Sequence, residues 1–378
     1  MNFFFRQFSY VLFSILAFGF AWLIYHPGLS QSEYLKIRKE TPPLIISSIG
    51  KDRNQGNLLG IQAYIQAVDY SNAERFYQFI ESYLESAKEK GLLKTGTLVM
   101  FPEHIGTPLF LLDERKEVIL SDRFDVVIKR MMISNLHLFI PSYFQFSTDV
   151  YKSLMSIKQR KMKKVYRDTF RSLSKYYDVP IVAGSILEME KGKLVKDSYS
   201  FYNKSYAFFP DGKIIILSKK MNLDKLESQL MIRGDKKEQS FFTISGKRYQ
   251  VLLSLDSLVA ANYMETASDK TDVFLSPSAL LSFSVIPEES FTVNEESQNL
   301  EKVKLPEILG KSDQDRKWLY KSLFSNLNNR KNSIGMQVFL KGKFLNTELQ
   351  GIGNIITERG KIDVLLSDNQ PGLLNVWF

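Results

Sequence analysis

A strand–helix–strand unit at the start of the globular region limits the folds open to this chain. Leu58 to Ala63 (LLGIQA), just after Gly56, is a short apolar run, the pattern of a strand buried on both faces. Ser71, with Glu74 three residues on, predicts a helix start by a capping box. Phe76, Phe79, Ile80, Tyr83, Leu84 and Ala87 then recur at helical spacing to make one apolar stripe, and Gly91 is placed to stop it. Thr97 to Phe101 (TLVMF) is the second strand. A β-α-β crossover covers one face of its sheet with a helix, and open α/β sheets place their chemistry beyond the carboxyl ends of the strands. Pro102 and Glu103 lie at such an end.

The same alternation recurs downstream. Lys158 to Tyr177 reads as a helix leading into a strand at Val179 to Ser185, and Ser198 to Phe209 and Lys213 to Ser218 flank Pro210-Asp211-Gly212, a hairpin signal. Tyr249 to Ser254 (YQVLLS) reads as a buried strand, followed by a helix over Ser257 to Thr266 and a strand from Asp272 to Leu275. Gly335 to Leu340 and Leu349 to Ile356 close the domain as two more strands, and the polar, acidic stretch Pro287 to Lys304 reads as a surface excursion. Hairpins mixed with β-α-β crossovers predict a mixed sheet covered by helices.

Composition removes several chemistries. With no cysteine the chain has no disulfide, zinc thiolate or thiol nucleophile. Its three histidines, His26, His104 and His137, are scattered, which argues against a histidine-based metal site; no cofactor is expected. The net charge of +9 is densest from Lys158 to Lys164, followed by Arg167 and Arg171. Met162, Val165, Tyr166 and Phe170 interleave there at helical spacing, so the run reads as a solvated helix face. No nucleic-acid-binding module accompanies it.

Phe8 to Tyr25 runs without a charge between Arg6 and His26-Pro27-Gly28. About 18 apolar residues, at roughly 1.5 Å each, approach the thickness of a bilayer core. The run lacks a polar face and predicts an uncleaved signal anchor over residues 8–25. Residues 1–7 form an N-terminal tail, 26–55 a linker and 56–378 the domain. The α-amine and Arg6 favour the amino end inside, so the domain is expected outside the cytoplasmic membrane, although Lys36, Arg38 and Lys39 blur the asymmetry.

Seven segments, in order, then carry a family resemblance. They are Asn57 to Gln62, Phe101-Pro102-Glu103, Ala183-Gly184-Ser185, Tyr202-Asn203 before the hairpin, Lys220-x-x-Leu223, the strand ending at Ser254-x-Asp256, and Asp272-Val273 leading to Pro277-Ser278. Together they resemble the nitrilase, or carbon-nitrogen hydrolase, superfamily, with serine where the nucleophilic cysteine should stand. The resemblance implies an α-β-β-α sandwich that assembles into homodimers or higher homo-oligomers, and a small amide or nitrile-like ligand. It places Glu103 in the position of the general base, Lys220 in that of the oxyanion stabiliser and Ser254 in that of the nucleophile. Lys219 adjoins Lys220, but Leu223 at plus three favours Lys220. A second family glutamate lies eight residues after the lysine; Ser228 has that offset and Glu227 precedes it by one.

Serine changes what such a site can do. A thiol with a pKa of about 8.5 is readily driven to thiolate, whereas a serine hydroxyl needs a base held close to it. His104 adjoins Glu103, but neighbours on a strand end point apart, and Asp256 reads as a cap for the following helix. Each 1.36 kcal/mol on the barrier costs about tenfold in rate. The expectation is therefore a membrane-anchored, nitrilase-like pseudoenzyme that binds a ligand or partner, the alternative being an active amide hydrolase or acyltransferase using Ser254 with Glu103 and Lys220.

Overall fold

The computed structural model describes residues 2–24, 28–146, 149–191, 199–263, 270–281, 318–327, 330, 333–357, 361–366 and 369–378. The Pro287 to Lys304 excursion lies outside them. Eight strands form the first sheet: β1 (Ile45–Ile49), β2 (Asn57–Gln62), β4 (Leu98–Met100), β5 (Ile181–Val182), β6 (Ile186–Lys191), β7 (Tyr199–Phe208), β8 (Ile214–Lys219) and β18 (Gly372–Trp377). Their order is β1-β18-β2-β4-β5-β7-β6, with β8 paired to β7. The second sheet runs β17 (Lys361–Leu366), β16 (Gly353–Thr357), β13 (Ile334–Phe339), β11 (Val273–Ser278), β10 (Lys247–Val251) and β9 (Phe242–Ile244). A small third sheet joins β12 (Leu280–Leu281), β15 (Thr347–Gln350), β14 (Lys341–Phe344) and β3 (Tyr64–Ile65). The expected crossovers are present: β2 pairs parallel with β4, Leu58 against Leu98, and β10 pairs parallel with β11, Tyr249 against Val273.

The two large sheets pack face to face. Leu58, Met100 and Val182 from the first meet Val251, Leu275 and Met336 from the second in one buried cluster. At Gly60 a β-carbon would collide with the side chains of Met336 and Val338, so the missing side chain sets how closely the sheets approach. Against the outer face of the first sheet lie the helices α3 (Ala73–Glu89) and α7 (Val150–Tyr177), which bury Phe76, Phe79, Tyr166 and Phe170. Phe170 packs edge-on against Phe76 and Phe101 and stacks on Phe208; fully burying such a ring stabilises the fold by roughly 1.5–3 kcal/mol. Over the second sheet, Leu323 and Leu327 of the helical turns from Tyr320 to Leu327 cover Phe274 and Ile356. The layers thus run helix, sheet, sheet, helix, the α/β nitrilase-like sandwich that the resemblance implied.

Several local expectations are corrected. α3 is capped by Asn72, whose side chain accepts from the Arg75 amide at 2.9 Å. Ser71 instead closes the preceding 3-10 turn, donating to the Val68 carbonyl at 2.7 Å. Residues 26–55 are not all linker. α2 (Gln31–Arg38) starts at a capping box of Ser30 and Glu33, and β1 joins the first sheet parallel to β18, Ile45 against Gly372. Among the described residues, the segment directly after Ser254 is two 3-10 turns, Ser254–Leu258 and Ala260–Tyr263, rather than an α-helix, and the rest of the expected helix lies outside the described residues. The basic run is not wholly solvated either: Lys158 is buried and paired with Glu114, and Lys163 reaches the buried Glu188 at 2.9 Å.

The apolar N-terminal run forms α1 (Asn2–Ile24). Among the described residues no helix is long and apolar enough to cross a membrane, so the structure lends the expected span at residues 8–25 no support. Between α3 and α7 lie α4 (Lys116–Ile119), α5 (Phe124–Ser134) and α6 (Leu136–Gln145), with α1 in contact with α5.

The turn carrying Glu103 depends on a second glycine. Gly184 has φ +62°, and a β-carbon there would overlap the Pro102 carbonyl. Gly184→Ala is expected to destabilise the fold by roughly 2 kcal/mol or more. The check is a urea unfolding midpoint, and an unchanged midpoint would show that the turn tolerates a side chain.

Candidate functional site

Three strand ends meet at one place. Beyond β4 the chain turns through Phe101-Pro102-Glu103, fixed by the Phe101 amide donating to the Val182 carbonyl at 2.9 Å. Glu103 is fully buried and receives three donors: Asn203 Nδ2 at 2.9 Å and Lys220 Nζ at 3.0 Å on Oε1, and the Ala279 amide at 3.1 Å on Oε2. Asn203 lies within β7, and Lys220 directly follows β8, its amide donating to the Asn203 carbonyl at 2.9 Å. The sheet ladder therefore sets Lys220 opposite Glu103.

Lys220 has a second carboxylate partner. Its Nζ lies 2.5 Å from Oε1 of Glu227, the first residue of α8 (Glu227–Leu230). Burial works against the ammonium, but Glu103 and Glu227 together hold the Lys220 pKa well above the ordinary lysine value. Burial likewise opposes ionisation of Glu227, yet Lys220 and then His104 bring it down to about 2. Glu227 Oε2 accepts from the Asp224 amide at 3.0 Å, so the loop after Lys220 folds back to deliver this carboxylate. The offset of seven residues serves here.

Ser254 lies past the end of β10 in the left-handed region, φ +47°, and is 1% exposed. Its hydroxyl donates to the Ala279 carbonyl at 3.3 Å, and the amide of that same Ala279 donates to Glu103. Ser254 and Glu103 thus share a neighbour rather than a proton. Asp256 does not cap a helix. Its carboxylate accepts from the Met221 amide at 3.1 Å, the Asn222 amide at 2.7 Å and Asn222 Nδ2 at 2.8 Å, binding the loop behind Lys220 to the segment that carries Ser254. Complete burial raises the Asp256 pKa to about 7 against the pull of those donors.

His104 departs from the expectation that it points away from Glu103. With φ +58° the chain reverses after Glu103, and the imidazole comes to 2.9 Å from Thr107 Oγ1, 3.3 Å from Asn203 Nδ2 and 3.5 Å from Glu227 Oε1. His104, Lys220, Glu227 and Ser254 line one cavity of about 630 Å³. Glu103 stands behind Lys220 in the wall. Ligand atoms of Glu103, His104 and Glu227 lie within 4.8 Å of one another, but the Lys220 ammonium already bridges the two carboxylates and supplies the compensating charge a cation would bring.

No protein-family model and no curated protein matches the chain. Among solved structures it is similar to a carbon-nitrogen hydrolase from Helicobacter pylori, 16% identical, covering 84% of this chain and 88% of that one with a TM-score of 0.49. It is also similar to a cysteine-to-serine mutant of a Nesterenkonia amidase from the nitrilase superfamily, 14% identical over 86% and 92% of the two chains, TM-score 0.48. A third similar structure is a Saccharomyces cerevisiae member of branch 10 of that superfamily, 15% identical over 84% and 88%, TM-score 0.47. These are members of the superfamily that the sequence resembles.

The low Glu227 pKa has a pH consequence. The folded value lies below that of the unfolded chain, about 4.3, so the unfolded chain takes up the proton first. The stabilisation, on the order of 3 kcal/mol, is present above about pH 4.3 and is lost as pH falls through about 2. Urea unfolding between pH 5 and pH 2 is expected to show a steeper loss of stability than the same series on Glu227→Gln; parallel curves would mean that the Lys220 pair does not stabilise the fold.

Proposed function

We propose that this chain is a membrane-anchored, carbon-nitrogen hydrolase-like pseudoenzyme that binds a carbonyl-bearing ligand, an amide or a relative of one, at the Lys220 end of its cavity. The observation that carries the reading is the open cavity at Lys220, Glu227 and Ser254. A retired site with no further use could fill with side chains, and this one has not. Lys220 offers an ammonium to a carbonyl oxygen, and ordered donors in a water-poor pocket bind such an oxygen strongly.

Thioester chemistry has no atom to start from. Ser254 needs a base to give up its proton, yet its hydroxyl is turned to a backbone carbonyl that cannot take one. Glu103, the expected base, has both oxygens engaged by Asn203, Lys220 and Ala279. A second reading, turnover by Ser254 with Glu103 and Lys220, is favoured by the left-handed backbone at Ser254 and by the nearness of His104 to the cavity. Anchoring is supported by the uncharged run from Phe8 to Tyr25 and by the exposure of Phe8, Phe13 and Phe18 on α1.

Full-length protein is to be assayed with butanamide, propionitrile and a butyrate ester, alongside Ser254→Ala. No turnover above background is expected. Butanamide is expected to raise the unfolding temperature of the wild type in a concentration-dependent way, an effect lost in Lys220→Gln. Turnover that disappears with Ser254→Ala would overturn the pseudoenzyme reading in favour of the hydrolase. Retention in alkali-washed membranes, abolished by deleting residues 1–28, is the expected outcome for the anchor.

A further inference from the structure

The cavity at Lys220 divides sharply by chemistry. His104, Lys220, Asp224, Glu227 and Ser254 form its charged and hydrogen-bonding end, and Asn346 and Thr347 are polar groups elsewhere in the lining. The remaining wall is largely hydrocarbon and aromatic, including Phe110, Leu255, Leu280, Trp318, Leu340 and Phe344. An acetamide-sized ligand would occupy only a small part of about 630 Å³, a volume that falls within the roughly 300–1,000 Å³ of sites for drug-sized ligands. Apolar wall of this extent, left against water, is a standing cost that only an apolar occupant relieves.

Trp318 adds a detail. It is 3% exposed, and its Nε1 has no hydrogen-bond partner among the described residues. The mouth of the cavity is apolar as well, since Phe124 and Leu226 line it while 41% and 47% exposed. Phe124 opens α5, the helix that α1 contacts. Ile133, Leu136, Leu138 and Ile140 of α5 and α6 are exposed as well, while Phe124 itself stands between the exposed, ion-paired Arg123 and Asp125, so the entrance is an apolar contact set in a charged rim.

We infer that the ligand is an amphiphile with a linear acyl chain, its carbonyl head at Lys220 and its tail along the wall formed by Phe110, Leu340 and Phe344. This assignment rests on the reading of Lys220 as the group that binds a carbonyl. The chain can come from a soluble fatty amide or from bilayer lipid, and the recognition chemistry is the same for both.

The test titrates full-length protein in amphipol with butanamide and octanamide by calorimetry. At about 0.8 kcal/mol for each of the four extra methylenes, octanamide is expected to bind about two-hundredfold more tightly. Leu340→Trp, which narrows the apolar arm, should weaken octanamide at least several-fold, and Phe124→Asp, a change at an exposed rim position, should weaken octanamide at least several-fold and leave butanamide unchanged. Equal affinities for the two amides in wild type would overturn the assignment. If the length dependence appears but Lys220→Gln binds both amides as wild type does, the tail site stands and the proposed role of Lys220 falls. A flat series that still depends on Lys220 gives the reverse.

A second arm identifies the source. Fluorescence of Trp318, isolated as the difference from Trp318→Phe, is followed with bromododecanamide in amphipol and with chain-brominated phosphatidylcholine in nanodiscs without added amide. Quenching by the lipid assigns the tail site to bilayer chains, and quenching by the amide alone assigns it to a soluble amphiphile. Quenching by neither would overturn the acyl-chain assignment.

Discussion

A buried lysine held between two glutamates is the interaction on which the rest of this site depends. Removing three charges from water costs several kcal/mol per ion, and that cost is offset only when geometry and extra hydrogen bonds are good. Here Lys220 lies 3.0 Å from Glu103 and 2.5 Å from Glu227, while Asn203 donates to the same Glu103 oxygen and the Ala279 and Asp224 amides satisfy the second oxygen of each carboxylate. Losing one partner of such a group typically costs 3–5 kcal/mol because it strands the other charge. The cluster consequently dictates the placement of the β4, β7 and β8 ends, the loop to α8 and the turn at Ala279 together.

The backbone makes that placement possible. β2 and β4 run parallel, so their carboxyl ends emerge at the same edge, and the Phe101-Pro102-Glu103 turn leaves at that edge because Gly184 lets it pass close by. Asp256 then ties the loop after Lys220 to the segment after β10 through three donors, the Met221 and Asn222 amides and the Asn222 side chain. Because burial raises the Asp256 pKa to about 7, this link weakens as the carboxyl takes up a proton below that pH. The cavity and its polar end are therefore parts of one framework, and the pocket walls inherit the order of the sandwich.

What could be read in the sequence was whatever had local periodicity or a fixed motif. The crossover from Leu58 to Phe101 is visible because an amphipathic helix with a stripe from Phe76 to Ala87 has few alternatives, and Glu103, Lys220 and Ser254 are visible because each ends a strand in a short motif. Glu227 was ambiguous because an offset of seven or eight depends on how the 221–226 loop closes, which is settled by the Asp224 amide reaching its carboxylate. Strand alternation does not predict the direction of His104 because the strand has ended and this residue is left-handed. The basic run was misjudged for a different reason. Lys158 and Lys163 meet Glu114 and Glu188 across long stretches of chain, and no periodicity in one helix encodes its partners. β1 was hidden in a polar stretch because it pairs with β18, at the far end of the chain.

The backbone at Ser254 gives the last step. A non-glycine residue in the left-handed region costs on the order of 1–3 kcal/mol and persists only where its surroundings over-determine it. Leu253 and Leu255 on either side are both buried, and the Ser254 carbonyl accepts from Ser257 at 2.7 Å. The strained turn is thus enforced by packing and by the 3-10 turn that follows, independently of what the Ser254 side chain can do. Leu255, Leu280 and Trp318 of the cavity wall pack with Leu258 and Phe339 behind them, so the shape of that wall is set by apolar packing and not by the chemistry of the residue beside it.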